Sequence, residues 1–270
     1  MAKPKTLVLT GYGINCERET AFAFDQAGAQ SQIVHVNDLI DTKDLSNYEI
    51  LAFPGGFSYG DHTGAGKAFA NLLRNRLSDE LLKFVDSDKL VFGACNGFQI
   101  MVALGLLPGI DGDYETKRAI LLHNDPTKDN RHGRYLDRWV DLQFEENGIW
   151  TKGEKVSLPI AHGEGKFYTD AETMRLIKGR NLIAARYVPG EMFDNYGLSV
   201  NPNGALENIA AITNESRRVF GIMPHVERAI DFTHLPDWTL RKEQLKRAGK
   251  EIPSEYSGIQ ILKNGVNYFQ

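Results

Sequence analysis

The stretch that most constrains the fold covers residues 89–107 and reads KLVFGACNGFQIMVALGLL. Residues 90–92 form a continuous apolar run, as in a strand that is covered on both faces, and residues 98–107 are apolar on nearly every side of a helix. Both elements are therefore predicted to be buried. A buried strand that leads directly into a buried helix is typical of an α/β protein.

The turn between these two elements carries Cys95 between Gly93 and Gly97. Small residues let the backbone turn sharply and let the helix approach the strand, as a strained strand-to-helix elbow requires. At such a turn the thiol faces the first N–H groups and the positive end of the helix dipole, which favour the nucleophilic thiolate. The alternative, a cysteine that merely packs in a buried turn, stays open on this stretch alone.

Length and composition indicate an ordinary globular protein. The chain has 270 residues, of which 42% are hydrophobic, enough for one large domain or one domain with an appendage. A formal net charge of −4 gives no electrostatic reason to expect nucleic acid or an anionic membrane as a partner. The two cysteines do not suggest a disulfide framework, and neither a signal peptide nor a transmembrane run is visible. A cytoplasmic location is therefore expected.

Strand and helix patterns alternate through the first part of the chain, which predicts a parallel α/β sheet. Strands are predicted at residues 6–10, 32–36 and 48–53, and helices at residues 17–27 and 67–85. After Pro108 the pattern changes to short strands separated by turn-rich stretches, which predicts an added, more antiparallel region inside the same domain. These strands are predicted at residues 119–123, 139–144, 155–160, 183–188 and 208–213, before a last apolar strand at residues 219–223.

The end of the chain differs in character from the rest. Residues 235–270 are polar, with a thin apolar pattern near residues 259–262. We therefore predict one domain over residues 1–234 and a C-terminal extension over residues 235–270, of unknown role, that lies on the surface.

A glycine-rich segment, PGGFSYGDHTGAGKAF, follows the third predicted strand. Its backbone N–H groups can come close to a ligand, so it is either an anion or oxyanion cradle or a flexible surface loop. A phosphate-binding P-loop is disfavoured because Asp61 and Ala68 stand where that motif needs glycine and Ser or Thr. A dinucleotide fingerprint at GYGINC is disfavoured likewise, because Cys16 replaces its last glycine.

Cys16 is the rival nucleophile, since it also lies between a predicted strand and a helix. Glu17 and Glu19 follow it directly, and nearby carboxylates disfavour a thiolate. No glycines flank it to form an elbow. Cys95 is therefore the better candidate.

His225 and Glu227 follow the last apolar strand two residues apart. If this segment is extended, both side chains project to one side, and Glu227 can bond one imidazole nitrogen while the other takes a thiol proton. Alone, this pair is a weak signal, and such a pair is more often a surface salt bridge or a cap. It gains weight from the elbow cysteine, because the partners of a Cys-His-carboxylate triad converge in space rather than in sequence.

These residues resemble those of the class I, Cys-His-Glu type, glutamine amidotransferases. Within that class the chain is most similar to the family of glutaminase subunits of phosphoribosylformylglycinamidine (FGAM) synthases, of purine biosynthesis. Val226 departs from the usual proline of that family, Ala211 replaces a frequent glycine, and the tail is longer than in the short form of the subunit. The matching stretches are PGGFSYGD (54–61), GACNGFQI (93–100), LPIAHGEGKF (158–167), NPNG (201–204), NIAAITN (208–214) and GIMPHVERA (221–229).

The resemblance implies a flavodoxin-like, doubly wound, mostly parallel sheet and a triad in which Cys95 is the nucleophile, His225 the proton carrier and Glu227 its orienting carboxylate. No metal site is implied. The resemblance assigns substrate or oxyanion contacts to Gly55, Gly56, Phe57, Asn96, Gln99, His162 and Gly163.

The same resemblance implies partners. Glutamine is hydrolysed to glutamate and ammonia, and the ammonia passes to a large synthetase subunit that converts formylglycinamide ribonucleotide to formylglycinamidine ribonucleotide. ATP and Mg²⁺ belong to that subunit, so no cofactor is expected in this chain. A small third subunit is expected as well. The alternatives are another cysteine hydrolase on the same sheet, an amidotransferase that serves a different synthase, and a catalytically silent glutamine sensor.

Overall fold

The computed structural model describes residues 3–128, 131, 134–146 and 148–270. Within these residues the strands form one nine-stranded sheet and one two-stranded sheet. The strands are β1 (Lys5–Thr10), β2 (Gln30–His35), β3 (Ile50–Phe53), β4 (Leu90–Ala94), β5 (Ala119–Leu122), β6 (Leu136–Phe144), β7 (Lys155–His162), β8 (Lys166–Thr169), β9 (Ile183–Tyr187), β10 (Ile209–Thr213) and β11 (Val219–Ile222).

The large sheet has the order β2-β1-β3-β4-β11-β10-β9-β6-β7. Its first five strands are parallel to one another. Four strands in the order 2-1-3-4, followed by a fifth parallel strand, give the flavodoxin-like arrangement of doubly wound sheets. The predicted fold class is confirmed.

The antiparallel region makes up half of the pairings in the large sheet. From β11 onward each strand runs antiparallel to the next, so four antiparallel pairings continue the four parallel ones. Strands β5 and β8 pair antiparallel in the small sheet. The change of pattern after Pro108 thus predicts the change of topology correctly, although β8 was not predicted.

Helices connect the parallel strands. The predicted helices after β1 and before β4 are present, whereas α2, α5 and α6 are short and were not predicted. Among the residues described, no helix is long and apolar enough to cross a membrane. The helices are α1 (Glu17–Gln26), α2 (Val36–Thr42), α3 (Lys67–Asp86), α4 (Asn96–Leu104), α5 (Ala171–Gly179), α6 (Glu191–Tyr196), α7 (Trp238–Arg247) and α8 (Gly258–Asn267).

The segment from β4 to α4 lies at the centre of the core. Every residue of β4 is buried, and α4 is buried at every position except Ala103. This outcome agrees with the continuous apolar character of the segment, because an element buried on all sides has no polar face.

The two C-terminal helices differ from each other. Helix α7 has no buried residue, as expected for a surface extension. Helix α8 instead buries Ile259, Leu262 and Val266, which recur on one helical face, and belongs to the main hydrophobic core. A Cβ on Gly258 would lie 2.3 Å from the carbonyl oxygen of Ala229, so the start of α8 also fits closely against the chain that follows β11. The boundary after residue 234 stays a prediction.

Parallel pairing brings several chain segments to one edge of the sheet. Strands β1, β3, β4 and β11 all end there, because the carboxyl ends of parallel strands meet at the same edge. The segments that follow them contain Cys16, the glycine-rich loop, Cys95 and His225 respectively. The two cysteines, the glycine-rich loop and the predicted histidine therefore lie at the same edge of the sheet.

Candidate active site

Cys95 occupies the turn between β4 and α4 in a strained backbone conformation, with φ 51° and ψ −110°. Positive φ is uncommon for a residue with a side chain and often marks a functional position. Gly97 is required beside it, because a Cβ at that position would lie 1.8 Å from the carbonyl oxygen of Phe53. The turn has the elbow geometry that the two glycines predict.

Cys95 is buried, with 4% of the residue exposed. Its Sγ lies 3.6 Å from the carbonyl oxygen of Ala161, at the end of β7. The first backbone bond of α4 runs from the N–H of Gln99 to the carbonyl of Cys95, at 3.1 Å. The N–H groups before it, beginning with Asn96, are therefore the ones at a helix N-terminus that suit an anion.

His225 and Glu227 form a buried pair in which Nδ1 of the imidazole lies 2.5 Å from Oε1 of the carboxylate. The segment does not have the extended conformation that the sequence analysis considered. It forms a short 3₁₀ turn over residues Val226–Arg228, with His225 as its N-cap. The two side chains meet in spite of this difference, because the turn is short enough to bring them to the same side. Val226 is buried in that turn.

The charges around His225 favour its protonated form. Burial opposes a charge on the ring, but the carboxylate of Glu227 and the neighbouring thiols of Cys95 and Cys16 outweigh it, and the pKa of His225 is raised well above its ordinary value. Because Nδ1 is bonded to Glu227, Nε2 is the nitrogen left to exchange protons. Within the described chain, Nε2 has no hydrogen-bond partner.

The glycine-rich loop packs directly against this pair. A Cβ on Gly55 would lie 2.7 Å from Cε1 of His225, so the absence of a side chain allows the ring its position. Gly56 forms an isolated bridge with Ile14, and Phe57 donates its backbone N–H to the carbonyl of Gly13 at 2.7 Å. The backbone N–H of Phe57 is therefore engaged within the protein.

Asn96 and Gln99 connect α4 to the loops around it. Asn96 accepts a hydrogen bond from the N–H of Ser58 at 3.1 Å and donates one to Oε1 of Gln99 at 2.8 Å. The amide nitrogen of Gln99 donates to the carbonyl of Glu164 at 2.6 Å. Both side chains are buried at the place predicted for substrate contact, and both are hydrogen-bonded within the protein.

His162 ends β7 on the other side of Cys95 and is buried. Burial, together with the positive charge of His225, lowers the pKa of His162 to about 3, so its ring is neutral. Its Nδ1 lies 3.1 Å from Oδ1 of Asn124. Gly163 follows with open space where a Cβ would be.

Two buried polar residues of the site were not singled out by the sequence. Oε2 of Glu164 accepts a hydrogen bond from the N–H of Ala65 at 2.9 Å, which ties the glycine-rich loop to the segment after β7. Asn124 holds that segment through the carbonyl of His162 and the N–H of Gly165. No local pattern marks either residue, because their partners are far away in sequence.

Cys16 lies in the same cluster as His225 and Glu227. Its Sγ and the ligating atoms of those two side chains all lie within 4.8 Å of one another. Such a group resembles a metal site, but the guanidinium of Arg228 lies 3.0 Å from the sulfur and disfavours a cation. Burial is the largest cause that raises the pKa of Cys16, and Glu227 adds to it. Cys16 is thus a neutral thiol, although the sequence suggested Glu17 and Glu19 as the cause.

Four exposed aromatic side chains lie in the segments that follow β1 and β3 and that precede β6. Phe57 and Tyr135 have ring centroids 5.9 Å apart, and Tyr12 and Tyr59 have centroids 5.6 Å apart. All four are among the exposed large hydrophobic residues. Burial is the main cause that raises the pKa of Tyr135. We refer to these four side chains as the aromatic rim.

Comparison with known proteins shows the family to which the chain belongs. A family model for the CobB/CobQ-like glutamine amidotransferase domain matches residues 3–269. The phosphoribosylformylglycinamidine synthase subunit PurQ of Methanococcus maripaludis is 46% identical over 271 residues, which cover 98% of this chain and 97% of that protein. The subunit of the same name from Dehalococcoides mccartyi is 36% identical and covers 99% of this chain and 98% of that protein.

A solved structure gives the same result at the level of the fold. The structure of PurLQS from Thermotoga maritima matches with a TM-score of 0.70 and 30% sequence identity, and the match covers 100% of both chains. The family model and these relatives match nearly the whole chain. The chain therefore belongs to the CobB/CobQ-like glutamine amidotransferases and, within them, to the PurQ subunits of phosphoribosylformylglycinamidine synthase.

Proposed function

We propose that this chain hydrolyses glutamine at Cys95 and delivers the ammonia to an ATP-dependent synthetase subunit that converts formylglycinamide ribonucleotide to formylglycinamidine ribonucleotide. The observation that supports this most strongly is the strained cysteine at the start of α4 near a buried imidazole that is already paired with a carboxylate. A nucleophile, a base and a group that orients the base are the parts that covalent amide hydrolysis needs.

The first half of the reaction forms a thioester. Nε2 of His225 takes the thiol proton, and the thiolate of Cys95 attacks the side-chain amide carbon of glutamine. Backbone N–H groups of the Gly55–Gly56 loop and of Asn96 hold the oxyanion of the tetrahedral intermediate, and each donor contributes about 3 to 4 kcal/mol. The imidazolium gives its proton to the leaving nitrogen, and the C–N bond breaks to release ammonia.

The second half releases glutamate. His225 takes a proton from water, the hydroxide attacks the thioester, and the C–S bond breaks while the sulfur regains its proton. Glu227 favours the imidazolium that appears twice in this cycle. His162 does not compete for protons, because its low pKa keeps the ring neutral.

The amino-acid end of glutamine is bound by residues on the β7 side of the cysteine. The carbonyl of Ala161 lies beside the thiol, Gln99 is bonded to Glu164 in the same segment, and Phe57 is exposed. The internal bonds of Gln99 and Glu164 fix this wall before substrate arrives, which lowers the entropic cost of binding.

Ammonia released into water is protonated and becomes unreactive, so the product needs a sheltered path to its acceptor. The Thermotoga maritima relative has been solved as PurLQS, a name that couples Q with L and S components. We infer a large synthetase subunit and a small third subunit as partners here, with ATP and Mg²⁺ held by the synthetase and no cofactor in this chain. The exposed side chains of the aromatic rim support docking of a partner on that surface.

Substitution of the nucleophile tests the proposal. In the reconstituted complex, Cys95→Ala is expected to reduce glutamine-dependent synthesis by on the order of 10⁴-fold, while synthesis from added ammonium salt persists. Equal loss of both activities would contradict the division of labour between the subunits.

A silent glutamine sensor is the alternative from a different class. Covalent labelling of Cys95 by an electrophilic glutamine analogue, followed by peptide mass spectrometry, separates the two functions. A sensor binds the analogue without forming the thioether.

A further inference from the structure

Cys16 is the cysteine that the proposed reaction does not use, yet it is buried beside the imidazole of His225. The residue is 1% exposed, and its backbone N–H donates to the carbonyl of Gly55 at 3.2 Å. A Cβ on Gly55 would lie 3.1 Å from Sγ of Cys16 and 2.7 Å from Cε1 of His225. The sulfur and the imidazole therefore border the same small volume.

The thiol joins three parts of the molecule. Its S–H donates to Oδ1 of Asn15 at 3.2 Å, and its sulfur accepts a hydrogen bond from Nη2 of Arg228 at 3.0 Å. Nε of Arg228 donates to Oε1 of Glu19 at 2.9 Å. The guanidinium thus has partners in the turn before α1 and in α1 itself, although it follows Glu227 directly in sequence.

The position of that guanidinium matters for the base. A cation paired with Glu227 would compete with the imidazolium for the same carboxylate and weaken it as a proton acceptor. The groups that act electrically on His225 belong to segments before α1, before α4, in β7 and after β11. They are Cys16, Cys95, His162 and Glu227, with Tyr135 and Arg228 at the margin.

We propose that Cys16 is a positioning residue of the amidotransferase reaction: its thiol lies beside the imidazole of His225 and keeps the guanidinium of Arg228 on the sulfur rather than on the carboxylate of Glu227. This inference rests on the proposed function, because it needs His225 to be the base. The neutral state of the thiol suits this role, since a second thiolate beside the ring would compete with Cys95 for the imidazolium.

The test compares Cys16→Ala with Cys16→Ser in the reconstituted complex. In Cys16→Ala the guanidinium loses its sulfur partner, and the alkaline limb of the kcat/KM profile for glutamine moves to lower pH by about one unit. The kcat falls about 10-fold, while KM changes by less than about twofold. Cys16→Ser keeps a donor for Asn15 and an acceptor for Arg228, so it restores the position of the limb.

A matched control separates positioning from packing. Thr20 is buried one turn further along α1, and its Oγ1 has no hydrogen-bond partner among the residues described. Thr20→Ala removes buried volume from the same helix, so it lowers the melting temperature but leaves the limb unmoved. Glu19→Gln covers the case in which Cys16→Ala does not fold. Glu19→Gln weakens the other contact of the Arg228 guanidinium. It should therefore move the alkaline limb of the kcat/KM profile to lower pH as well, but by less than Cys16→Ala does.

The rate at which iodoacetamide alkylates Cys95, followed by mass spectrometry against pH, reports the same proton equilibrium without turnover. An unchanged limb in Cys16→Ala by both measurements, or a Cys16→Ser variant that is displaced as far as Cys16→Ala, overturns the inference. A wild-type enzyme whose Cys95 is not labelled by the electrophilic glutamine analogue instead refutes the proposed function, and the inference with it.

Discussion

Two strand-to-helix turns of this molecule bring a buried cysteine to the same imidazole, and they differ in backbone geometry. Cys95, between β4 and α4, has φ 51° and ψ −110°, whereas Cys16, between β1 and α1, has φ −104° and ψ 12°. Both residues lie close enough to His225 to raise its pKa. Burial and proximity to a base therefore do not distinguish a nucleophile from its neighbour.

The helices that follow the two cysteines also differ. Helix α1 carries Glu17 and Glu19 in its first turn, so its own carboxylates offset the positive end of the dipole. The first turn of α4 contains no acidic residue. The positive end of α4 is thus left for the thiolate and the oxyanion. Strain and an uncompensated helix terminus occur together at Cys95, and this combination is what the turn at Cys16 lacks.

The strongest test of this contrast removes the freedom of the elbow. Gly97→Ala places a Cβ 1.8 Å from the carbonyl oxygen of Phe53. A backbone carbonyl cannot move aside as the end of a flexible side chain can, so the turn must open. We expect a loss of about 3 kcal/mol or more in the free energy of unfolding and a glutaminase activity near background. Urea unfolding and a glutaminase assay measure the two effects.

Gly163→Ala serves as the matched control, because a Cβ at that position meets no atom within 4 Å. It should leave the free energy of unfolding within about 0.5 kcal/mol of the wild type. If both glycine variants were equally stable, close packing at the elbow would not explain the strained turn.

The second test removes the carboxylate but leaves both cysteines in place. Glu227→Gln keeps the shape of the pair with His225, but the imidazolium loses its counter-charge, so kcat for glutamine should fall by on the order of 10³-fold. The raised pKa of His225 also contributes stability that is present below about pH 6.5 and is lost as the pH rises through that raised pKa.

Glu227→Gln should therefore flatten the dependence of unfolding free energy on pH above about 6.5. Urea titrations of wild type and variant at several pH values measure this. A variant with the pH dependence of the wild type would show that Glu227 is not what holds the charge on the ring.

The smallest expected effect concerns the neutral histidine on the other side of the elbow. The pKa of His162 is lowered to about 3, so in acid the unfolded chain binds a proton that the folded protein does not. Its contribution to stability is present above about pH 6.5 and is lost as the pH falls toward 3.

His162→Gln should consequently lose about 2 kcal/mol less stability than the wild type between pH 7 and pH 4.5. Unfolding in urea at the two pH values measures the difference. A variant as acid-sensitive as the wild type would mean that His162 is protonated in the folded protein, and the positive charge would not be confined to His225.

Local sequence patterns were enough for the strand-to-helix turn at Cys95 and for the parallel half of the sheet. Continuous apolar runs and bracketing glycines are short-range signals, and both reflect burial and close approach. The sequence left the conformation at Glu227 open, because two-residue spacing alone does not fix φ and ψ, and the structure has a 3₁₀ turn there. The few apolar residues near residues 259–262 predict a surface extension there, but in helix α8 they share one face and are buried.

The sequence by itself determined which residues could do chemistry: a cysteine between glycines after a buried strand, and a histidine two residues before a glutamate. Only the tertiary structure decided that Cys16 lies beside the imidazole of His225 and binds the guanidinium of Arg228, and that Glu164 and Asn124 fix the wall opposite. The reason is that those contacts join residues separated by 38 to 212 positions, as from Asn124 to His162 or from Cys16 to Arg228. Side-chain contacts across such separations depend on strand order and helix placement, which no local pattern records.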